Sequence, residues 1–251
     1  MQLGLVTYQL GKDWDVTTII RNCTETRFEG VELRTTHAHS VEPSLDAAAR
    51  EEVRKQFEDS AVELVGLGST CEFQSPDPAV LRKNIEETKA FVKLAHDVGA
   101  SGVKVRPNGL PDGIPVEKTL DQIGRALHEC AEFAAGYGVE IRVEVHGGGT
   151  SKLDHIKTIM DVADHASAVV CWNSNSTDLE NGSIDRTFGL VAGKIGTVHI
   201  HDLYDPYPYF RLWRLLNQSG FEGYCLAECP ASSDAVRVMH YYRALWDRMV
   251  G

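Results

Sequence analysis

The sequence predicts a single (β/α)8 barrel, in which eight parallel strands form a closed ring inside a ring of helices. Three observations support this fold class. The chain has 251 residues, a length at which such barrels commonly form one domain. Short β-branched runs alternate eight times with longer stretches of helical periodicity. No G-x-G-x-x-G motif follows the first strand, which disfavours an open doubly wound sheet.

The eight strand-like runs are spaced along the whole chain and are rich in aliphatic and β-branched residues. They are predicted at residues 3–8, 30–33, 62–68, 102–106, 139–145, 168–172, 196–201 and 223–228. No linker, low-complexity tract or charge block interrupts the series. Residues 1–251 are therefore predicted to form one domain.

Helical stretches, with apolar residues at three- and four-residue spacing, fill the intervals between these strands. The first four are predicted at 14–27, 45–58, 78–98 and 115–136. Gly99 is expected to cap the third of them, because glycine readily adopts the left-handed conformation that ends many helices. The last four are predicted at 152–164, 183–192, 207–218 and 232–249.

Composition limits the partners and the compartment. The chain has 36 acidic residues against 25 lysines and arginines, a formal net charge of −11, which disfavours stable binding to nucleic acid. No apolar run approaches the roughly 20 residues of a membrane helix, and the N-terminal sequence lacks the features of a signal peptide. Six scattered cysteines without a CxxC motif are expected to be buried thiols. We therefore expect a cytoplasmic protein with neither a nucleic-acid nor a membrane partner.

Ionisable side chains recur on the predicted inward face where strands end, and barrel enzymes place their chemistry at the C-terminal ends of strands. Glu144, His199 and Glu228 each stand near the end of a strand and precede turn residues. A solvated glutamate or a structural histidine would account for any one of them alone. Carboxylate and imidazole groups together are typical ligands of divalent metals, so the combination predicts a metal site.

Four motifs in barrel order resemble the sugar isomerase/epimerase superfamily, the xylose isomerase-like TIM barrels. They are E-V-H at 144–146, W-N-S-N at 172–175, H-I-H-D at 199–202 and L-A-E at 226–228. The group includes D-tagatose 3-epimerase, hydroxypyruvate isomerase, inosose dehydratase and the abasic-site endonuclease. The resemblance covers essentially the whole chain. It implies a xylose isomerase-like barrel that acts on a small sugar or sugar derivative.

The resemblance also implies one divalent metal ion, held by Glu144, Asn173, His199 and Glu228. We expect this ion to be Mn²⁺, with Mg²⁺, Co²⁺ or Zn²⁺ as alternatives. Asn173 stands where the family usually has aspartate. A carbonyl oxygen can bind a hard cation, but it brings no charge. The ion is therefore expected to bind more weakly and to be a stronger Lewis acid. Asp178 is an alternative source of the missing carboxylate.

In the resembling epimerases, the glutamates on strands five and eight are both ligands and acid/base groups, and we transfer both roles to Glu144 and Glu228. A proton removed next to a carbonyl group would leave an enediolate. Its return to the opposite face gives epimerisation, and its transfer to the adjacent carbon gives isomerisation. Substrate oxygens are expected to contact His37, Lys104, Arg106, His146 and His201, with Glu72 and Trp172 at the rim. Lys104 and Arg106 could instead form ion pairs with Glu32 or Glu144.

Two other functions stay open. One is a metal-dependent lyase or dehydratase that acts on a keto-sugar or keto-inositol by β-elimination. The other is a non-catalytic sugar-binding barrel in which Asn173 marks a degraded site. The endonuclease function is disfavoured, because those relatives hold three metals with many more histidines. A homo-oligomer is possible.

Overall fold

The computed structural model describes residues 1–250, and its eight parallel strands close into a barrel in chain order. The strands are β1 (Gln2–Val6), β2 (Gly30–Arg34), β3 (Glu63–Glu72), β4 (Gly102–Arg106), β5 (Glu140–Glu144), β6 (Ala168–Asn173), β7 (Ile195–Ile200) and β8 (Tyr224–Ala227). β8 pairs with β1 and closes the ring, with Tyr224 opposite Gln2. The predicted (β/α)8 fold is confirmed.

The eight helices follow the strands in alternation. They are α1 (Val16–Thr26), α2 (Ala47–Glu58), α3 (Pro78–Val98), α4 (Val116–Ala135), α5 (Leu153–Ala163), α6 (Asp185–Gly189), α7 (Tyr209–Gln218) and α8 (Ala235–Val250). α3 has the predicted bounds, and Gly99 ends it with a φ of 83°. α6 is shorter than predicted, because the chain passes into a 3-10 turn at Ala192–Lys194 before β7. Within residues 1–250, no helix is both long and apolar enough to cross a membrane.

The apolar core lies between the strands and the helices, whereas the inside of the barrel is largely polar. Ile141 and Val143 of β5 point outward into the core and are almost completely buried. Arg142 and Glu144 alternate with them and point into the barrel, where they are also buried. Barrel interiors are usually filled with branched apolar residues. The charged interior therefore requires ion pairs or ligands.

Arg142 fills the N-terminal end of the barrel. Its guanidinium donates hydrogen bonds to the Val65 carbonyl (2.8 Å) and the Ser101 hydroxyl (2.9 Å), and it pairs with Glu140. A Cβ atom at Gly102 would lie 2.4 Å from Arg142, so a glycine is needed at this strand position to make room for the side chain. The filled lower end leaves the opposite mouth as the place for a site.

The loops after β4 and β5 are in direct contact. Gly147 has a φ of 100°, and a Cβ atom there would lie 1.4 Å from the Asn108 carbonyl oxygen. Both observations require glycine at this position. A bridge between Gly109 and Gly148 continues the contact. These two loops therefore form one continuous wall of the barrel mouth.

Candidate metal centre and active site

Three potential metal ligands converge at the C-terminal mouth of the barrel. Glu144 ends β5, His199 lies in β7, and Glu228 directly follows β8. One ligand atom from each lies within 4.8 Å of the others. His199 Nδ1 is 3.6 Å from Glu144 and 3.7 Å from Glu228. These distances exceed ordinary hydrogen bonds, and His199 Nδ1 is buried without a hydrogen-bond partner. The three groups thus surround a space that suits a cation.

Asn173 completes this arrangement from the end of β6, where it pairs in register with His199. Its amide nitrogen donates to Glu144 Oε1 over 3.2 Å. Its carbonyl oxygen is buried and has no hydrogen-bond partner. Buried polar atoms rarely stay unsatisfied, and an amide oxygen is a suitable ligand for a hard cation. The four residues named from the sequence therefore fit a divalent metal ion.

Glu32 lies beneath His199 and is completely buried. Its Oε1 is 3.4 Å from His199 Nε2. A proton on Nε2 would face Glu32 and leave the Nδ1 lone pair directed at Glu144 and Glu228, the usual second contact of a metal-binding histidine. Burial opposes protonation of His199, but the neighbouring Cys171 sulfur and the Glu32 carboxylate raise its pKa well above the ordinary value. Metal binding would therefore displace a proton.

Lys104 and Glu144 form an ion pair inside the barrel, with Nζ 2.8 Å from Oε2 and both side chains almost completely buried. Burial disfavours the ionised Glu144 carboxylate, but Lys104 and His199 outweigh burial and hold its pKa well below the usual range. Removing either partner would leave an uncompensated buried charge. Of the arrangements that the sequence left open for Lys104, the structure shows the pair with Glu144.

A cavity of about 310 Å³ opens above the ligands. Four of the predicted substrate-binding residues line it, namely Lys104, Arg106, His146 and His201. Sequence reasoning did not assign four further residues to this cavity, which are Val6, Tyr8, Arg34 and Asn175. Arg34 shares the inward face of β2 with Glu32, so its strand phase was the available signal. Tyr8 and Asn175 lie in loops, where no periodicity indicates direction.

His37 and Trp172 do not reach this cavity. The chain turns after β2 at Thr36, which has a φ of 67°, and His37 folds back behind Tyr8. Its ring stacks on Tyr8 at 6.3 Å, and its Nδ1 lies 3.1 Å from the Thr7 hydroxyl. The geometry therefore does not support substrate binding by His37.

The prediction that Trp172 contacts substrate at the rim is wrong. Trp172 faces away from the barrel axis, is completely buried and packs against Phe188. Alternation along β6 is the reason for the error, because its neighbour Asn173 points inward. Glu72 does lie at the mouth, 4.0 Å from Arg106.

Asp178 belongs to a separate network that fixes the loop after β6. Its Oδ2 accepts hydrogen bonds from the Asn175 backbone (2.9 Å) and the Tyr207 hydroxyl (2.8 Å). Tyr207 in turn accepts one from Trp172. Asp178 is not part of the potential ligand cluster, so the alternative of Asp178 as the missing carboxylate ligand gains no support. Burial raises its pKa to about 7.

An Asp178→Asn variant should be more stable than the wild type at about pH 8 and lose part of the pH dependence of stability. The raised folded-state pKa means that protonated Asp178 stabilises the fold at low pH. This contribution is lost as the pH rises from about 4 towards about 7. Asparagine mimics the neutral form, so we expect a gain of about 1 kcal/mol or more at the higher pH. Urea unfolding at about pH 4 and at about pH 8 measures the difference in stability. The exposed Asp161→Asn variant is the control. An equal effect of Asp178→Asn at both pH values would contradict the assignment.

Comparison with known proteins assigns this chain to a family. The chain belongs to the xylose isomerase-like TIM barrel family, whose model matches residues 20–245. A search of curated proteins found no match.

Solved structures share the fold along the whole chain. D-psicose 3-epimerase from Clostridium cellulolyticum H10, solved with D-tagatose, is 14% identical, with coverage of 100% of this chain and 99% of that one and a TM-score of 0.81. IolI protein with a zinc atom is 14% identical, with coverage of 99% and 96% and a TM-score of 0.80. The probable 3-DHS dehydratase AsbF from Bacillus anthracis is 14% identical, with coverage of 98% and 99% and a TM-score of 0.74. At these identities the likeness shows the fold.

Proposed function

We propose that the protein is a divalent-metal-dependent isomerase or epimerase of a sugar or sugar derivative. The observation that carries the proposal is the convergence of Glu144, His199 and Glu228 on one side of the cavity. The unpartnered Asn173 oxygen adds a fourth donor. Epimerases with the same fold and a neighbour that holds zinc support it. We propose Mn²⁺ as the resident ion.

Glu144 and Glu228 are the proposed acid/base pair. The metal ion, when bound, supplies positive charge that stabilises an enediolate formed from the substrate. Glu144 is kept ionised by Lys104, and the ionised carboxylate is the form that can accept a proton from the carbon next to the carbonyl group. Glu228 is 21% exposed and lines the same cavity. The two glutamates come from β5 and β8 and reach the substrate from different directions. One can remove the proton and the other can return it to the opposite face.

His146 and His201 are placed to orient substrate hydroxyl groups. Both line the cavity, His146 Nδ1 has no hydrogen-bond partner, and His201 Nε2 lies 3.7 Å from Glu228. An imidazole beside a base can also protonate a departing hydroxyl group. This position supports β-elimination as a second candidate function, and the dehydratase among the structural neighbours supports it as well.

A panel of ketoses and keto-inositols in D₂O, with the Mn²⁺-loaded protein, tests these functions. An isomerase or epimerase incorporates deuterium next to the carbonyl group and gives a product with the same carbon skeleton and formula. A lyase releases water or an aglycone and gives a UV-absorbing enone. A sugar-binding barrel raises the melting temperature but does neither. Binding without exchange or elimination would contradict an enzymatic function.

An Asn173→Asp variant should bind the metal more tightly, by about tenfold or more, with equal or lower turnover. The new carboxylate adds a charged ligand, and the ion becomes a weaker electrophile. Without metal the same change places two carboxylates about 3 Å apart, as the present contact with Glu144 shows, so the apoprotein should lose stability. Calorimetric metal titration and melting with and without Mn²⁺ measure both effects. Unchanged affinity would remove Asn173 from the ligand set.

We further propose a cytoplasmic location. The six cysteines are buried free thiols, as predicted, and this state is typical of a reducing compartment.

A further inference from the structure

Two arginines at the cavity mouth make no close ion pair with a carboxylate. Arg34 ends β2 and Arg106 ends β4, and both line the cavity. Within residues 1–250, the Arg34 guanidinium forms no ion pair and donates a single hydrogen bond, to the Thr35 carbonyl. The carboxylate nearest to Arg106 is that of Glu72, and their 4.0 Å separation is too long for a hydrogen bond.

Burial makes this arrangement costly without a ligand. Arg106 Nε is buried and has no hydrogen-bond partner. Burial lowers the pKa of the Arg34 guanidinium, and the positive charge of Arg106 lowers it further, whereas Glu144 and Glu32 offset these effects only in part. Guanidinium groups present planar sets of donors that match the oxygens of carboxylates and phosphates. An anion at this position would satisfy both residues at once.

The other charges in the cavity are already balanced. Lys104 is paired with Glu144 and also faces the buried Glu32. If the charge of Glu32 is set against that of Lys104, Glu144 and Glu228 would offset the two charges of a divalent ion. The excess positive charge therefore belongs to Arg34 and Arg106. Arg34 ends β2, and Arg106 ends β4, the strand next to β5, which carries Glu144.

We infer that the substrate carries an anionic group, a carboxylate or a phosphate monoester, which Arg34 and Arg106 bind at the β2–β4 side of the cavity. This inference rests on the proposed function for the identity of the remaining sugar. The tilt of Arg34 over Tyr8, with the guanidinium carbon 6.0 Å from the ring centroid, helps to hold its guanidinium in the mouth. The recognised class is then a sugar acid or a sugar phosphate.

Three ligands that differ at one carbon provide the test: D-fructose, its terminal phosphate ester, and D-fructuronate, which carries a carboxylate at that terminus. Calorimetry with the Mn²⁺-loaded protein should show that at least one charged ligand binds about 10- to 100-fold more tightly than D-fructose, the range for charge-assisted hydrogen bonds. The stronger of the two identifies the group as phosphate or carboxylate. Arg34→Met and Arg106→Met should each reduce the ratio, and the double variant should bring it to about one.

Arg125→Met is the matched control, because Arg125 is exposed on α4 and pairs only with Asp121 among the described residues. Metal content and melting temperature establish that each variant is folded. Equal or weaker binding of both charged ligands, or a preference that survives the double variant, would overturn the inference. Deuterium exchange with the same ligands is a separate measurement. Charged-ligand preference without exchange would contradict the proposed function and leave the anion site standing.

Discussion

Glu144→Gln and Glu228→Gln variants should each lose exchange of the substrate α-proton with solvent by about 10²-fold or more, within the range for general acid–base groups. Glutamine keeps an oxygen that can contact the metal but cannot accept the proton. In the Glu144→Gln variant the single oxygen can take the place of Oε1, on the side of His199, or of Oε2, which accepts from Lys104 over 2.8 Å, but not both. Proton NMR in D₂O, with the most active substrate of the panel and saturating Mn²⁺, measures the exchange.

Metal content must be determined for the same samples, so that loss of base and loss of ion are separated. Glu222→Gln is the matched control, because Glu222 is exposed and precedes β8 at the end of the barrel opposite the mouth. Retained exchange in metal-loaded Glu144→Gln protein would reject Glu144 as the base. His146 or His201, which share the cavity, would then be the groups to examine.

His199→Ala should abolish stable metal binding, the second large effect. The imidazole is the only nitrogen donor in the potential cluster, and Nδ1 faces both glutamates. Glu32→Gln should weaken binding less, by about 10- to 100-fold, because groups that orient a ligand typically contribute this much. Inductively coupled plasma analysis after dialysis against Mn²⁺, together with calorimetry, measures both variants.

His240→Ala provides the control for this series, since His240 lies on the outer surface with 53% of its side chain exposed. Full metal occupancy of the His199→Ala protein would show that the ion binds without His199. An affinity of the Glu32→Gln protein equal to that of the wild type would show that Glu32 does not orient the imidazole.

Much of the fold and of the metal site follows from one-dimensional patterns. Eight alternations of strand and helix fix the barrel, and parallel strands bring their C-terminal ends to one mouth. Glu144, His199 and Glu228 were therefore recognisable from strand phase alone. Asn173 needed the family resemblance, because asparagine is common in the turns that follow strands and binds no metal in most of them.

Contacts between side chains on opposite strands of the barrel cannot be predicted from the sequence. The approach of Glu32 to His199 depends on how strands two and seven face each other through the interior, which register and strand tilt decide. Strand register and tilt also decide whether Lys104 pairs with Glu32 or with Glu144. The sequence also does not predict where the side chains of loop residues point. His37 looked accessible because it follows a strand end, yet the turn at Thr36 directs it away from the cavity.

The contact between Gly147 and Asn108 restricts how this barrel can diversify. An inserted residue in either loop would have to break a backbone packing that excludes even a methyl group. The wall next to Arg106 and His146 is therefore a poor place to change the size of the cavity. Lineages, or designers, that adapt this scaffold to larger substrates should lengthen the loops after β6 or β7 outside the Asp178–Tyr207 hydrogen bond that joins them, since no backbone contact between glycines joins these loops within residues 1–250. The cavity would then become larger on one side of the mouth, while the other side keeps its shape.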